Sequence, residues 1–125
     1  MNLRSTFRKA ALLAAIFCAS GAQAWAHANL DHAEPAADGV VKQSPTEVRL
    51  NFSEKLEVGF CQVQVLDASG QEIDKKDLHA NPKDGKELSV SLPASLAAGT
   101  YKVVWRVAAA DTHVTKGEYS FRVQP

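Results

Sequence analysis

The chain has 125 residues, of which 46% are hydrophobic, and 14 Lys and Arg balance 14 Asp and Glu, so its formal net charge is zero. That length suits one small domain with a modest core and leaves no room for a second. Without a basic excess the chain is poorly equipped to neutralise a phosphate backbone, which argues against nucleic acid as a partner.

The first segment reads as an export signal. Arg4, Arg8 and Lys9 form a positive n-region, Ala10 to Ala19 is uncharged and mostly apolar, and Ala24-Trp25-Ala26 has the small-x-small pattern that a signal peptidase cuts. An apolar stretch of about ten residues falls short of the roughly 20 needed to span a bilayer. Residues 1–26 are therefore expected to be a cleaved Sec-type leader rather than a membrane anchor. The mature domain is expected over 27–125, in the periplasm and without stable membrane insertion. Phe17 is too bulky for lipoprotein processing at Cys18, and no Arg-Arg pair points to twin-arginine export. Cleavage leaves 11 basic and 14 acidic side chains, a formal charge of −3. It also removes Met1 and Cys18, so the mature chain keeps Cys61 as a lone thiol, with no disulfide and no thioether.

From there the hydrophobic period is two, the period of half-buried strands. Val48, Leu50 and Phe52 alternate with polar residues, as do Cys61, Val63 and Val65, and then Leu88, Val90 and Leu92. Between them, Asp67 to Lys86 is the least apolar stretch and is expected to be a solvated connection with at most a short strand around Ile73. Tyr101, Val103, Trp105 and Val107 share a face of a longer strand, and Tyr119, Phe121 and Val123 share a face of the last. Turn pairs such as Asp38-Gly39, Ser69-Gly70, Asp84-Gly85 and Lys116-Gly117 separate these runs. The pattern predicts an all-β, antiparallel sandwich. Leu96 to Tyr101 has the form of a tyrosine corner, in which the hydroxyl bonds back to nearby backbone in Greek-key sandwiches. Cys61 reads as a small buried hydrophobe on its strand.

A cut after Ala26 gives His27 a free α-amine, and the amine and imidazole Nδ1 together form a chelate. Both are borderline nitrogen donors that suit Cu(II), the strongest competitor among the divalent ions. Such strength matters because the amine, with a free pKa of about 7.7–8.0, must lose its proton to bind. Taken alone, His27 is most simply the residue that follows a cleavage site. Asp111-Thr112-His113 follows the long strand, and residues two apart on an extended segment point to the same side. A carboxylate and an imidazole so placed would complete a set begun by His27. Taken singly, Asp111 reads as a turn residue and His113 as an exposed polar one.

Several markers in this order resemble the CopC-like periplasmic copper-binding proteins. They are His27-Ala28-Asn29-Leu30, Glu34 to Asp38, Leu50-Asn51-Phe52-Ser53-Glu54, Ala98 to Val107, Asp111-Thr112-His113 and Tyr119 to Val123. The resemblance implies a single Greek-key, cupredoxin- or immunoglobulin-like β-sandwich that binds one Cu(II) ion per chain through His27, Asp111 and His113. It implies copper buffering, transport or resistance, and an inner-membrane copper transporter as a partner. It also puts Glu54 close to the metal as an outer-sphere residue, although Glu54 reads equally well as a strand-end carboxylate in solvent. Some members of that family carry a Met-rich loop with a His for Cu(I). This sequence has His79 in the corresponding region and no Met beyond Met1, so a Cu(II)-only protein is expected, with His79 a surface-loop histidine and His32 polar strand surface.

Such a protein is a binder rather than an enzyme. A blue-copper electron carrier would need a Cys and two His around the metal, and no Cys-to-His cluster exists here. A histidine-brace copper redox enzyme shares the terminal histidine and a second His, but Asp111 as a ligand would occupy the position left open to oxygen. A metal-free immunoglobulin-like interaction module is the third reading, which the fold alone permits.

Overall fold

A computed structural model describes residues 28–125. The leader proposed over 1–26, and His27, lie outside the described residues.

The predicted alternation is realised strand by strand. In β3 (Glu47–Phe52) the residues Val48, Leu50 and Phe52 are buried, and in β6 (Glu87–Ser91) Leu88 and Val90 are. β7 (Gly99–Ala108) and β8 (Val114–Val123) form a long hairpin registered without interruption from Gly99 opposite Val123 to Ala108 opposite Val114. With β1 (Leu30–Glu34), β2 (Val40–Val41), β4 (Gln62–Leu66) and β5 (His79–Ala80), these make two four-stranded sheets, ordered β1-β3-β6-β5 and β2-β8-β7-β4. The inward rows of both sheets form one core, centred on Leu50, Leu88, Val65, Val103, Val107 and Phe121.

Packing fixes the register of the hairpin. Trp105 lies directly across from Gly117, and a Cβ on Gly117 would land inside the indole. The ring fills that vacancy and meets Phe52 of the other sheet edge-on, at 6.2 Å between centroids. The tyrosine corner is present: the Tyr101 hydroxyl donates to the Ala97 carbonyl at 2.6 Å, and its ring stacks on Phe121.

Four features differ from the alternation pattern, each for a local reason. First, β2 pairs with β8 in parallel, a two-residue departure from the antiparallel rule. Second, Asp31 is a bulge: Leu30 pairs with Phe52 and His32 with Asn51, so Asp31 and His32 both face solvent while Ala33 returns to the core. Third, the short strand of the polar connection is at His79–Ala80, not at Ile73. Ile73 instead hangs on the edge of β4 through its N–H to the Val65 carbonyl, and the buried Asp74 carboxylate accepts the Val65 N–H at 2.8 Å. Fourth, Cys61 lies just before β4 and is only half-buried. Its Sγ accepts the Ala108 N–H at 3.5 Å, and burial is the main cause of a thiol pKa above its ordinary value.

Between β3 and β4 the chain changes sheets. Leu56 bridges Ala109, the Lys55 carbonyl accepts the Ala110 N–H, and the Glu57 N–H donates to the Ala108 carbonyl, before a 3₁₀ turn at Val58–Phe60 leads into β4. Replacing Tyr101 by Phe removes the corner hydrogen bond and keeps the ring. The expected loss is about 1 kcal/mol, seen as a fall in Tm of about 4–8 °C in a thermal melt. An unchanged Tm would show that the corner contributes no stability.

Candidate metal centre

Three chain segments meet at one end of the sandwich: the start of the described chain, the crossing over 53–57, and the turn from β7 to β8. Ala28 is 2% exposed, and its carbonyl accepts the Thr115 hydroxyl at 2.9 Å. The next residue is tied to the other sheet. The Asn29 N–H donates to Ser53 Oγ, and the Asn29 carbonyl accepts the Ser53 N–H, both at 2.9 Å. The N-terminal segment is thus stitched to the end of β3 and the start of β8 immediately after His27.

Asp111 and His113 are neighbours, but not by the extended geometry expected for them. They flank a tight turn in which Thr112 has φ 72°, the left-handed region, and donates its N–H to the Ala109 carbonyl at 2.8 Å. A β-branched residue there is strained by about 1–3 kcal/mol. The Asp111 side chain offsets part of this, because its Oδ1 accepts the His113 N–H at 3.1 Å in the manner of an Asx turn. Its Oδ2 stands 3.1 Å from His113 Nδ1. The carboxylate therefore grips both the backbone and the imidazole of the same residue. The His113 backbone N–H is the largest cause holding the Asp111 pKa below its ordinary value, and the His113 side chain adds to it.

The two side chains are 35% and 40% exposed, so a small ion can reach them from solvent. Asp111 Oδ1 keeps a lone pair beyond the one it gives to the His113 N–H. Glu54 is half-buried between Ser53, which holds Asn29, and Lys55, which holds Ala110. Among the described residues no three His, Cys, Asp or Glu side chains converge as a metal-binding group, so the Asp111–His113 pair stands as a two-donor arrangement. His32 is exposed on β1, and His79 is exposed on β5 with Nδ1 3.0 Å from the Asp77 carbonyl. Ser53 and Thr115, which tether the N-terminal segment, were not foreseen. Thr115 is an inward-facing strand position with a hydroxyl, a weak signal in the sequence, and Ser53 gave none.

The family profile described as the CopC domain matches residues 30–124. Protein YobA of Escherichia coli strain K12 is 42% identical over 100 residues, covering 80% of this chain and 81% of that protein. CopC from Methylosinus trichosporium OB3b superposes with a TM-score of 0.74 at 32% identity, over 79% of this chain and 95% of its own. PcoC from Escherichia coli, described as a methionine-rich copper resistance protein, gives a TM-score of 0.70 at 33% identity, over 79% of this chain and all of its own.

The gripped carboxylate has a signature in solution. Its folded pKa lies below the unfolded value of about 3.9, so its contribution to stability is present above that pH and is lost as pH falls through the lower folded value. An NMR titration is expected to show the Asp111 carboxyl and the His113 amide moving together, with a midpoint below about 3.9. A midpoint at or above that value would show that the contact does not persist in solution.

Proposed function

Since the chain belongs to the CopC family, we propose that it is a periplasmic copper-binding protein that takes one Cu(II) ion per chain as its cargo. It serves copper buffering, transport or resistance, and it is a binder rather than a catalyst. The donors are the α-amine and imidazole of His27 after removal of the leader, together with Asp111 and His113, and Glu54 stands as an outer-sphere partner. An inner-membrane copper transporter is the partner that passes or receives the ion.

The observation that carries this reading is the double tether of the segment next to His27. Ala28 is bonded to Thr115, two residues from His113, and Asn29 is bonded to Ser53, next to Glu54. A frayed terminus would lose affinity to the entropy of ordering it, whereas here the two residues that follow His27 are already held, Ala28 by burial and a bond and Asn29 by two bonds. The donor chemistry also fits. Nitrogen and carboxylate ligands suit Cu(II), and the chain beyond Met1 lacks the thioethers that soft Cu(I) prefers. Asp111, with Oδ2 3.1 Å from His113 Nδ1, holds the imidazole beside the carboxylate.

The amine is the component easiest to test. Protein beginning at His27 is expected to bind one equivalent of Cu(II) at least about 100-fold more tightly than the same protein with one extra N-terminal residue, a difference of about 2.7 kcal/mol. Competition against a chelator of known strength measures both. Equal affinities would remove the amine from the ligand set. His113→Ala in the native-start protein is expected to lower affinity by a comparable factor, and no change would remove the imidazole.

A further inference from the structure

The outer face of the second sheet carries two features that the metal reading leaves unused, and they adjoin. Alternation along β7 and β8 directs Arg106, Ala108, Val114 and Lys116 outward. Ala108 is nonetheless only 4% exposed, because the 3₁₀ turn lies against β7 there and Cys61 packs on the Ala108 backbone. That turn presents Phe60, 69% exposed, and Val58, 38% exposed, while Val114, opposite Ala108, is 40% exposed. The result is an apolar patch of large side chains beside the turn that carries Asp111 and His113.

One step along the same strands stand Arg106 and Lys116, paired directly across the ladder. Like charges so placed repel, and among the described residues neither has a carboxylate partner. Elsewhere on the outer faces Lys102 meets Glu118 at 3.6 Å and Arg49 meets Glu34 and Glu47, while Arg122, opposite Thr100, has no carboxylate partner among the described residues but stands singly rather than against a second cation. Arg106 and Lys116 line, with Gln62, Gln64 and Glu118, whose carboxylate is paired to Lys102, a shallow groove of about 400 Å³. An uncompensated cation pair in a concave, amide-lined groove next to exposed Phe60 matches an anionic segment with an apolar side chain beside it.

We propose that this face is the docking surface for a partner protein that presents an apolar side chain flanked by carboxylates. The apolar side chain covers Val58, Phe60 and Val114, and the carboxylates neutralise Arg106 and Lys116. Three apolar side chains fall far short of the roughly 800 Å² per partner of a stable interface, so the contact is transient, as an exchange of cargo requires. The groove favours a protein segment over a lipid surface, because two cations on a chain with an acidic excess beyond its leader give little attraction to an anionic bilayer. That this partner exchanges copper rests on the function proposed above, whereas the docking chemistry does not.

The test therefore uses metal-free protein. The probe is a capped hexapeptide with Phe-Leu at its centre and two acidic residues on each side. Its counterpart carries lysines in place of the acids, and mixed phosphatidylcholine and phosphatidylglycerol vesicles serve as a third probe. Titration followed by amide NMR shifts is expected to show the acidic peptide perturbing Phe60, Arg106, Val114 and Lys116, with the lysine peptide inert. The double variant Arg106→Glu, Lys116→Glu and the variant Phe60→Ser are each expected to weaken binding at least about tenfold. All these positions are exposed, and an unchanged near-UV spectrum confirms the fold. Silence of the acidic peptide, equal binding of the lysine peptide, indifference to the variants, or capture by vesicles through the same residues would each overturn the proposal. None of these outcomes bears on whether copper binds.

Discussion

The register of β7 on β8 is the constraint from which the rest of the molecule follows. Trp105 seats over Gly117, and a slip of one residue would set the indole against a side chain while turning Tyr101, Val103 and Val107 to solvent. Because the ladder is continuous for its whole length, that central fit also fixes its far end, where the Asp111 to His113 turn emerges. The same register presents Thr115 inward to meet Ala28 and Lys116 outward beside Arg106. The position of the candidate metal centre and the charge of the neighbouring face thus have one cause.

The corner itself is assembled from parts far apart in the chain. Asn29 reaches Ser53, Lys55 reaches Ala110, and Ala28 reaches Thr115, all through hydrogen bonds that use backbone on at least one side. The corner is thus held by backbone groups and the hydroxyls of Ser53 and Thr115, which leaves its ionisable chemistry to Glu54, Asp111 and His113. The crossing over 53–57 is central to this, since it is where the chain leaves one sheet for the other and so touches both.

The strands were legible in the sequence because burial on one face writes itself as alternation: Val48, Leu50 and Phe52, or Leu88 and Val90, could hardly be read otherwise. The tyrosine corner was legible for a similar reason, being a local contact over four residues. What escaped was set by tertiary context. The bulge at Asp31 leaves a two-residue polar run that looks like any loop, and the parallel contact of β2 involves too few residues to carry a period. Asp111 and His113 were read from residue type and spacing, and the extended geometry expected between them is replaced by a turn. Nothing in Asp-Thr-His announces that Thr112 is left-handed, a conformation held by the bond from the His113 N–H to the Asp111 carboxylate and by the Thr112 N–H on the Ala109 carbonyl. The tethers of Ala28 and Asn29 connect positions too distant for any local pattern to record.

Asp74 has a consequence outside the metal centre. β4 is the outer strand of its sheet, and its unpaired backbone would otherwise offer a template to a strand from a second molecule. With the Val65 N–H held by the Asp74 carboxylate and the Val65 carbonyl by Ile73, that rung is already occupied from within the chain. The polar connection that reads as mere linker in the sequence therefore closes one rung of an otherwise open sheet edge.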